Sequence, residues 1–125
     1  ADIILNPFCT DDRQGYLRVR YCAQARAVEN QVYVASAGTV GNLPDAENLE
    51  LQYAQSAVFS PSDLNFARDG ILVEASANTE TVITTDVDLD ALQAAIHGGP
   101  VRQRADRRPD LFRFEVDVED DDFAS

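Results

Sequence analysis

The 125-residue chain has no lysine, no methionine and no tryptophan, and it has one histidine, His97. All ten cations are therefore arginines; they stand against 22 carboxylates and leave a formal net charge of −12. A surface of that sign repels phosphate, which excludes nucleic acid as an expected partner, and an anionic membrane surface goes the same way. No apolar run approaches the ~20 residues of a membrane-spanning helix, and no charged start, apolar stretch and cleavage site opens the chain. Cysteine is confined to Cys9 and Cys22. Their spacing fits neither a CxxC redox pair nor a zinc site, so reduced thiols in a cytoplasm are expected, with no metal and no cofactor.

The missing lysine beside ten arginines points to adaptation to high salt, where screening removes self-repulsion and hydrated carboxylates keep the chain soluble. The competing reading is an ordinary acidic protein with an acidic tail. That tail, residues 115–125, includes Glu115-Val116-Asp117-Val118-Glu119-Asp120-Asp121-Asp122. It lacks the glycine turn and spaced ligands of a calcium loop, so a solvated, disordered segment is expected.

Hydrophobic residues make up 45%, enough for one domain with a modest core. Residues 2–6 form a nearly continuous apolar run, which predicts a strand buried on both faces and ended by Asn6-Pro7. Because the chain opens in what reads as the inside of a strand, we expect it to be one part of a longer protein. Thr10, Asp11 and Asp12 favour a helix start, and the pattern predicts a helix from about Arg13 to Asn30 with Leu17, Tyr21, Ala25 and Val28 as its apolar stripe. Residues 31–37 alternate and predict a second strand, joined to the first by a parallel crossover. Further strands are expected at 54–60, 71–75 and 80–87 as an antiparallel ladder. A short helix capped by Asp88 is expected at 89–97, stopped by Gly98-Gly99-Pro100. Beyond Val101 an extended arm is expected. The inventory is α/β with a mixed sheet. Two helices cover one sheet face, so the other is expected to need a partner.

Several segments then match one family in order. A strand ending Asn6-Pro7-Phe8 precedes Tyr16-Leu17-Arg18-Val19-Arg20, and Ala25-Arg26-Ala27-Val28-Glu29-Asn30-Gln31-Val32-Tyr33-Val34 resembles the R-A-x-E-N-x-x-Y-V segment of nitrilase-superfamily amidases. Gly41-Asn42-Leu43-Pro44 and Ser56-Ala57-Val58-Phe59-Ser60-Pro61 look like its glycine loop and the strand end beyond it. Asp69-Gly70-Ile71, Glu80-Thr81-Val82-Ile83, Asp86-Val87-Asp88-Leu89 and Asp106-Arg107-Arg108-Pro109-Asp110-Leu111 resemble its closing hairpin, final strand and arm. The similarity covers residues 1–114 and is nearest the subgroup often fused to an acetyltransferase domain.

The resemblance implies the C-terminal half of an α-β-β-α sandwich that pairs through helices into a homodimer or higher oligomer. It implies a carbon–nitrogen hydrolase acting on a small amide or nitrile through a cysteine thioester. Its Glu, Lys and Cys belong to an N-terminal half outside this chain, so no catalytic residue maps here and the chain alone is expected to be inactive. The alternative is a binding or dimerisation module that lost the chemistry.

Cys9 follows the carboxyl end of a predicted parallel strand, the rim where open α/β folds bind ligands. The resemblance implies that this loop lines the substrate pocket, so Phe8, Cys9, Thr10 and Asp11 are the candidate substrate-binding residues. Thr10 or Asp11 could instead simply cap the helix. Arg26 and Glu29 are three apart and can pair; a structural, partly buried role is expected. His97 fits the last turn of its helix, where positive charge is favoured. A thiol enzyme built on Cys9 and His97 is the least favoured reading.

Overall fold

The structure, a computed structural model, describes residues 1–113 and 115. Among these, β1 (Ile3–Phe8), β2 (Tyr33–Gly38), β3 (Ala57–Phe59) and β4 (Ile71–Glu74) form one sheet in that spatial order. β1 and β2 are parallel and joined by α1 (Arg13–Asn30); the pairs β2–β3 and β3–β4 are antiparallel. The mixed α/β architecture is thus the one the sequence led us to expect. β1 runs through Pro7 instead of ending there, and it is not buried on both faces. It lies at the sheet edge, where a residue without an N–H is tolerated, and Leu5 is 76% exposed.

α1 has the predicted bounds. Its cap is Asp12, whose carboxylate accepts from the Gly15 amide at 2.6 Å. Its inward face is not the predicted stripe. Tyr16, Ala23 and Ala27 are buried, whereas Tyr21 and Val28 are exposed and Leu17 is half-buried. The buried residues follow the helical repeat equally well, and alanine lets the helix lie close to Val34, Ala57 and Phe59. Large apolar side chains at that contact would push helix and sheet apart.

Consecutive strand residues point to opposite faces. Val34 faces α1, and Tyr33 faces α2 (Leu89–Gly98), where it meets Leu92 and Ile96. The two helices therefore lie on opposite faces of the sheet, and not on one as expected. Asp88 caps α2 by accepting from the Ala91 amide at 2.8 Å, and its carbonyl accepts from the Tyr33 hydroxyl at 2.8 Å. Residues 80–87 form no strand. Thr81, Val82 and Ile83 instead cross the face opposite α1, beside Leu5, Ala35 and Ala37. Crossing the strands, this segment cannot join their hydrogen-bond ladder, and Val82 stays 87% exposed despite its alternating pattern.

Burial raises the Tyr33 pKa above its ordinary 10.0, with its bond to the Asp88 carbonyl opposing that shift. The folded chain therefore holds this proton to higher pH than the unfolded chain does. The Tyr33 contribution is complete below about pH 10 and falls as pH rises through the raised value. Melting temperature is expected to drop on that limb in the parent chain and less in Tyr33→Phe. Parallel alkaline limbs in circular-dichroism melts would contradict this assignment.

The segment after α2 is not a free extended arm. It turns at 103–106 and includes a short 3-10 turn, Pro109–Leu111. Gln31, 2% exposed and left-handed at φ 49°, holds it in place. Its amide donates to the Val101 carbonyl at 3.0 Å and accepts from the Arg104 amide at 3.1 Å. Arg104 also pairs with Asp2 at 2.9 Å, and Arg107 donates to Asn30 at 2.6 Å. These two cations sit near the carboxyl end of α1, where the helix dipole favours positive charge. The expected tail of 115–125, Glu115 apart, lies outside the described residues.

Candidate functional site

The loop after β1 reaches the carboxyl end of the parallel pair, as the strand–helix–strand pattern requires. There Cys9, Thr10 and Asp11 line an open cleft of about 600 Å³. The other walls are Gly15, Arg18 and Val19 of α1, with Asn48, Glu50 and Leu51 of the long loop between β2 and β3. The rim thus gathers three of the four residues expected from the sequence. Phe8 does not line this cleft. Its ring turns inward to stack on Tyr16, with centroids 6.3 Å apart, and a Cβ at Gly38 would collide with it. Asp12, and neither Thr10 nor Asp11, is the helix cap.

Thr10 instead fastens the rim to residue 53. Its hydroxyl donates to the Tyr53 carbonyl at 2.7 Å, and the Tyr53 amide donates to the Thr10 carbonyl at 2.7 Å. The Tyr53 ring lies 5.5 Å from that of Tyr16, which is 4% exposed. The Tyr16 hydroxyl donates to Gln55 at 3.1 Å and accepts from Arg20 at 2.8 Å. Arg20 also pairs with Glu74 of β4 at 2.8 Å and lies over the Phe59 ring, 5.4 Å from its centroid. Burial opposes its charge, but the hydrogen bonds to Tyr16 and Glu74 outweigh that and raise its pKa above the usual arginine value. Arg20 therefore stays charged at any working pH.

This network is absent from the sequence reading, because residues 16, 20, 53, 55, 59 and 74 have no local spacing in common. A polar Arg20 between Tyr16 and Ala23 was the available signal. A cation at a core-facing helical position needs a partner. Asn48, Glu50 and Leu51 carried no signal beyond an acidic, irregular composition.

Arg26 and Glu29 do pair, but on the open surface of α1, with side chains 63% and 49% exposed, and not partly buried. Residues three apart share one helical face, and this one is turned away from the buried Ala23–Ala27 side, so the pair faces solvent. His97 is exposed in the last turn of α2. That helix end lies by the amino ends of the parallel strands, where the Ala95 carbonyl accepts from Gln31. Cys9 follows their carboxyl ends. Six strand residues at about 3.3 Å each separate the two by about 20 Å, which removes a Cys9–His97 dyad.

Cys9 and Cys22 are both free and exposed. Cys22 faces a second cleft, between α1 and the edge strand, whose other walls include Ile4, Leu5 and Arg18. Among the described residues no group of three or more His, Cys, Asp or Glu side chains converges on a metal position, and no helix is long and apolar enough to cross a membrane.

Known proteins share this pattern. The family model described as carbon–nitrogen hydrolase matches residues 1–97. The probable hydrolase YhcX of Bacillus subtilis is 59% identical over 115 residues, which are 92% of this chain and 22% of that protein. The omega-amidase NIT2 of Xenopus tropicalis is 33% identical over 92 residues, 74% of this chain and 29% of that protein. The chain thus spans less than a third of the length of either relative. The match includes both parallel strands, the helix between them and the rim loop, and it places this chain in the carbon–nitrogen hydrolase family.

Proposed function

We propose that this chain is the C-terminal part of an enzyme that hydrolyses a non-peptide C–N bond, with its reactive residues in a segment outside the chain. The observation that carries the reading is the state of β1. A strand of a family that must build a closed pocket is here a sheet edge, with Ile3 41%, Ile4 36% and Leu5 76% exposed. An apolar strand with one bare edge is a surface made for another segment to cover. The pocket rim lies at the carboxyl end of that same strand.

In the mechanism the family resemblance implies, a Glu takes the proton of a Cys thiol and the thiolate attacks the amide or nitrile carbon. A Lys stabilises the charge that develops, the nitrogen leaves, and water hydrolyses the thioester. This chain contains no lysine, so it cannot supply the set by itself. Cys9, Thr10 and Asp11 serve as pocket wall, and Phe8 as the ring behind it. The name of the Xenopus relative favours an amide over a nitrile. The ordered motifs favour the subgroup often fused to an acetyltransferase domain as the arrangement of the whole protein.

The test is ammonia release from a panel of aliphatic amides. The chain alone is expected to release none. The protein translated from the full reading frame is expected to be active and to lose activity when its upstream nucleophilic cysteine becomes serine. Turnover by the chain alone that vanishes in Cys9→Ser would overturn the proposal.

The outward stripe of α1 favours assembly as well. Tyr21 is 62% and Val28 39% exposed beside half-buried Leu17, an apolar strip fitted to pair with a second copy. If the full-length protein proved inactive yet dimeric, a dimerisation module would replace the hydrolase reading. The net charge of −12 without lysine supports a salt-adapted cytoplasmic protein. Its melting temperature is expected to rise between low salt and molar KCl; a flat or falling trend would remove that reading.

A further inference from the structure

We infer that Tyr16, held by Arg20, is a positioning residue for the pocket rim; this rests on reading Cys9, Thr10 and Asp11 as pocket wall. The route is continuous. Arg20 is anchored on the sheet by Glu74 at 2.8 Å and by the Phe59 ring. It donates to the Tyr16 hydroxyl, which in turn donates to Gln55. Gln55 is tied to the sheet end through the Ala75 carbonyl at 2.9 Å. The Tyr16 ring lies against both Phe8, which leads into the rim, and Tyr53. Tyr53 and Thr10 then exchange two hydrogen bonds of 2.7 Å.

The rim loop is therefore braced at Phe8 and at Thr10, and both braces meet at one buried ring. Arg20 and Tyr16 do not line the rim cleft. Their effect on a substrate is exerted through the loop, by fixing where the Thr10 and Asp11 groups stand. Small displacements of positioning groups are costly to binding geometry. Both terminal nitrogens of Arg20 are engaged, one on this link and one on Glu74, and a side chain only 14% exposed is an unusual place for a cation without such a task.

Two readouts separate this inference from the functional proposal. The first is amide hydrogen exchange on the 125-residue chain. Tyr16→Phe keeps the ring and removes the hydroxyl that joins Arg20 to Gln55. Exchange at the Tyr53 amide is expected to quicken about tenfold, the scale of one lost hydrogen bond, while the β2 amides of Val34 and Ala35 stay unchanged. Unchanged Tyr53 exchange, or equal acceleration throughout, overturns the coupling.

The second is steady-state kinetics of the full-length protein on an aliphatic amide. Tyr16→Phe, outside the cleft, is expected to raise KM about tenfold with kcat within about twofold. Quickened Tyr53 exchange with unchanged KM would overturn the role at the pocket while leaving hydrolysis itself intact. Absence of turnover in the parent protein is instead the failure of the functional reading.

Discussion

Phe59→Ala is expected to cost about 3–5 kcal/mol, a large share of the 5–15 kcal/mol that holds a domain of this size together. Phe59 is 1% exposed at the end of the short strand β3, packed with Val34, Ala23 and Ala27. Its neighbours are small, so they cannot lean in to fill the space, and the cavity term adds to the lost transfer energy. The ring also supports Arg20 from below. Without it the guanidinium keeps Glu74 and Tyr16 but loses an aromatic contact of about 0.5–2 kcal/mol. A melting temperature lower by about 10–20 °C should appear in thermal unfolding. A loss below about 1 kcal/mol would show that α1 does not depend on this contact. Because Arg20 loosens, the amide of Tyr53 should also exchange faster in this variant.

Leu92→Ala is expected to cost about 2–5 kcal/mol by the same mechanism on the other face. Leu92 is fully buried between Tyr33 and Ile96, with Phe66, Leu72 and Val87 packed around them. Nothing in that cluster touches Arg20 or Tyr16, so the protection of the Tyr53 amide should follow global stability alone. The sheet separates the two clusters. Their costs, measured by urea unfolding, should therefore add within about 0.5 kcal/mol in the double variant, provided the protein still folds. A large coupling would mean that the two faces form one cooperative core through β2, where Tyr33 and Val34 stand back to back.

Much of the fold was legible because its signals are local. Asp88 caps α2 where the sequence suggested, α1 starts beside the Thr10-Asp11-Asp12 cluster although Asp12 is its cap, and the bounds of α1 agree. The parallel crossover follows from strand, helix and strand with short joints. The rim position of Cys9, Thr10 and Asp11 follows from that crossover, since the loop after a parallel strand must lie at its carboxyl end. Phe8 fell outside the cleft because side chains alternate along a strand, and the parity of β1 aims it at α1.

The elements that differ from the sequence expectation share one cause. Apolar character is local, whereas burial depends on what stands opposite. On α1 the larger side chains Leu17, Tyr21 and Val28 form an apolar stripe, but the sheet accepts only the Ala23 and Ala27 side. In 80–87 the alternation was real, yet the segment crosses the sheet and pairs with no strand. β1 looked doubly buried because its residues are greasy, although it lies at the edge of the sheet.

Sequence alone determined the family, through ordered motifs from Asn6 to Leu89, and it determined the absence of a lysine for the chemistry. It also determined the Asp88 cap of α2, because a carboxylate and the amide it accepts from are only three residues apart; for α1 it offered Thr10 or Asp11, and Asp12 is the cap. Tertiary structure decided which face of α1 is inside, which strand is left bare, and how Arg20 reaches the rim through Tyr16, Tyr53 and Thr10. Those contacts join residues tens of positions apart, and their energies exist only once the chain has brought them within a few ångströms.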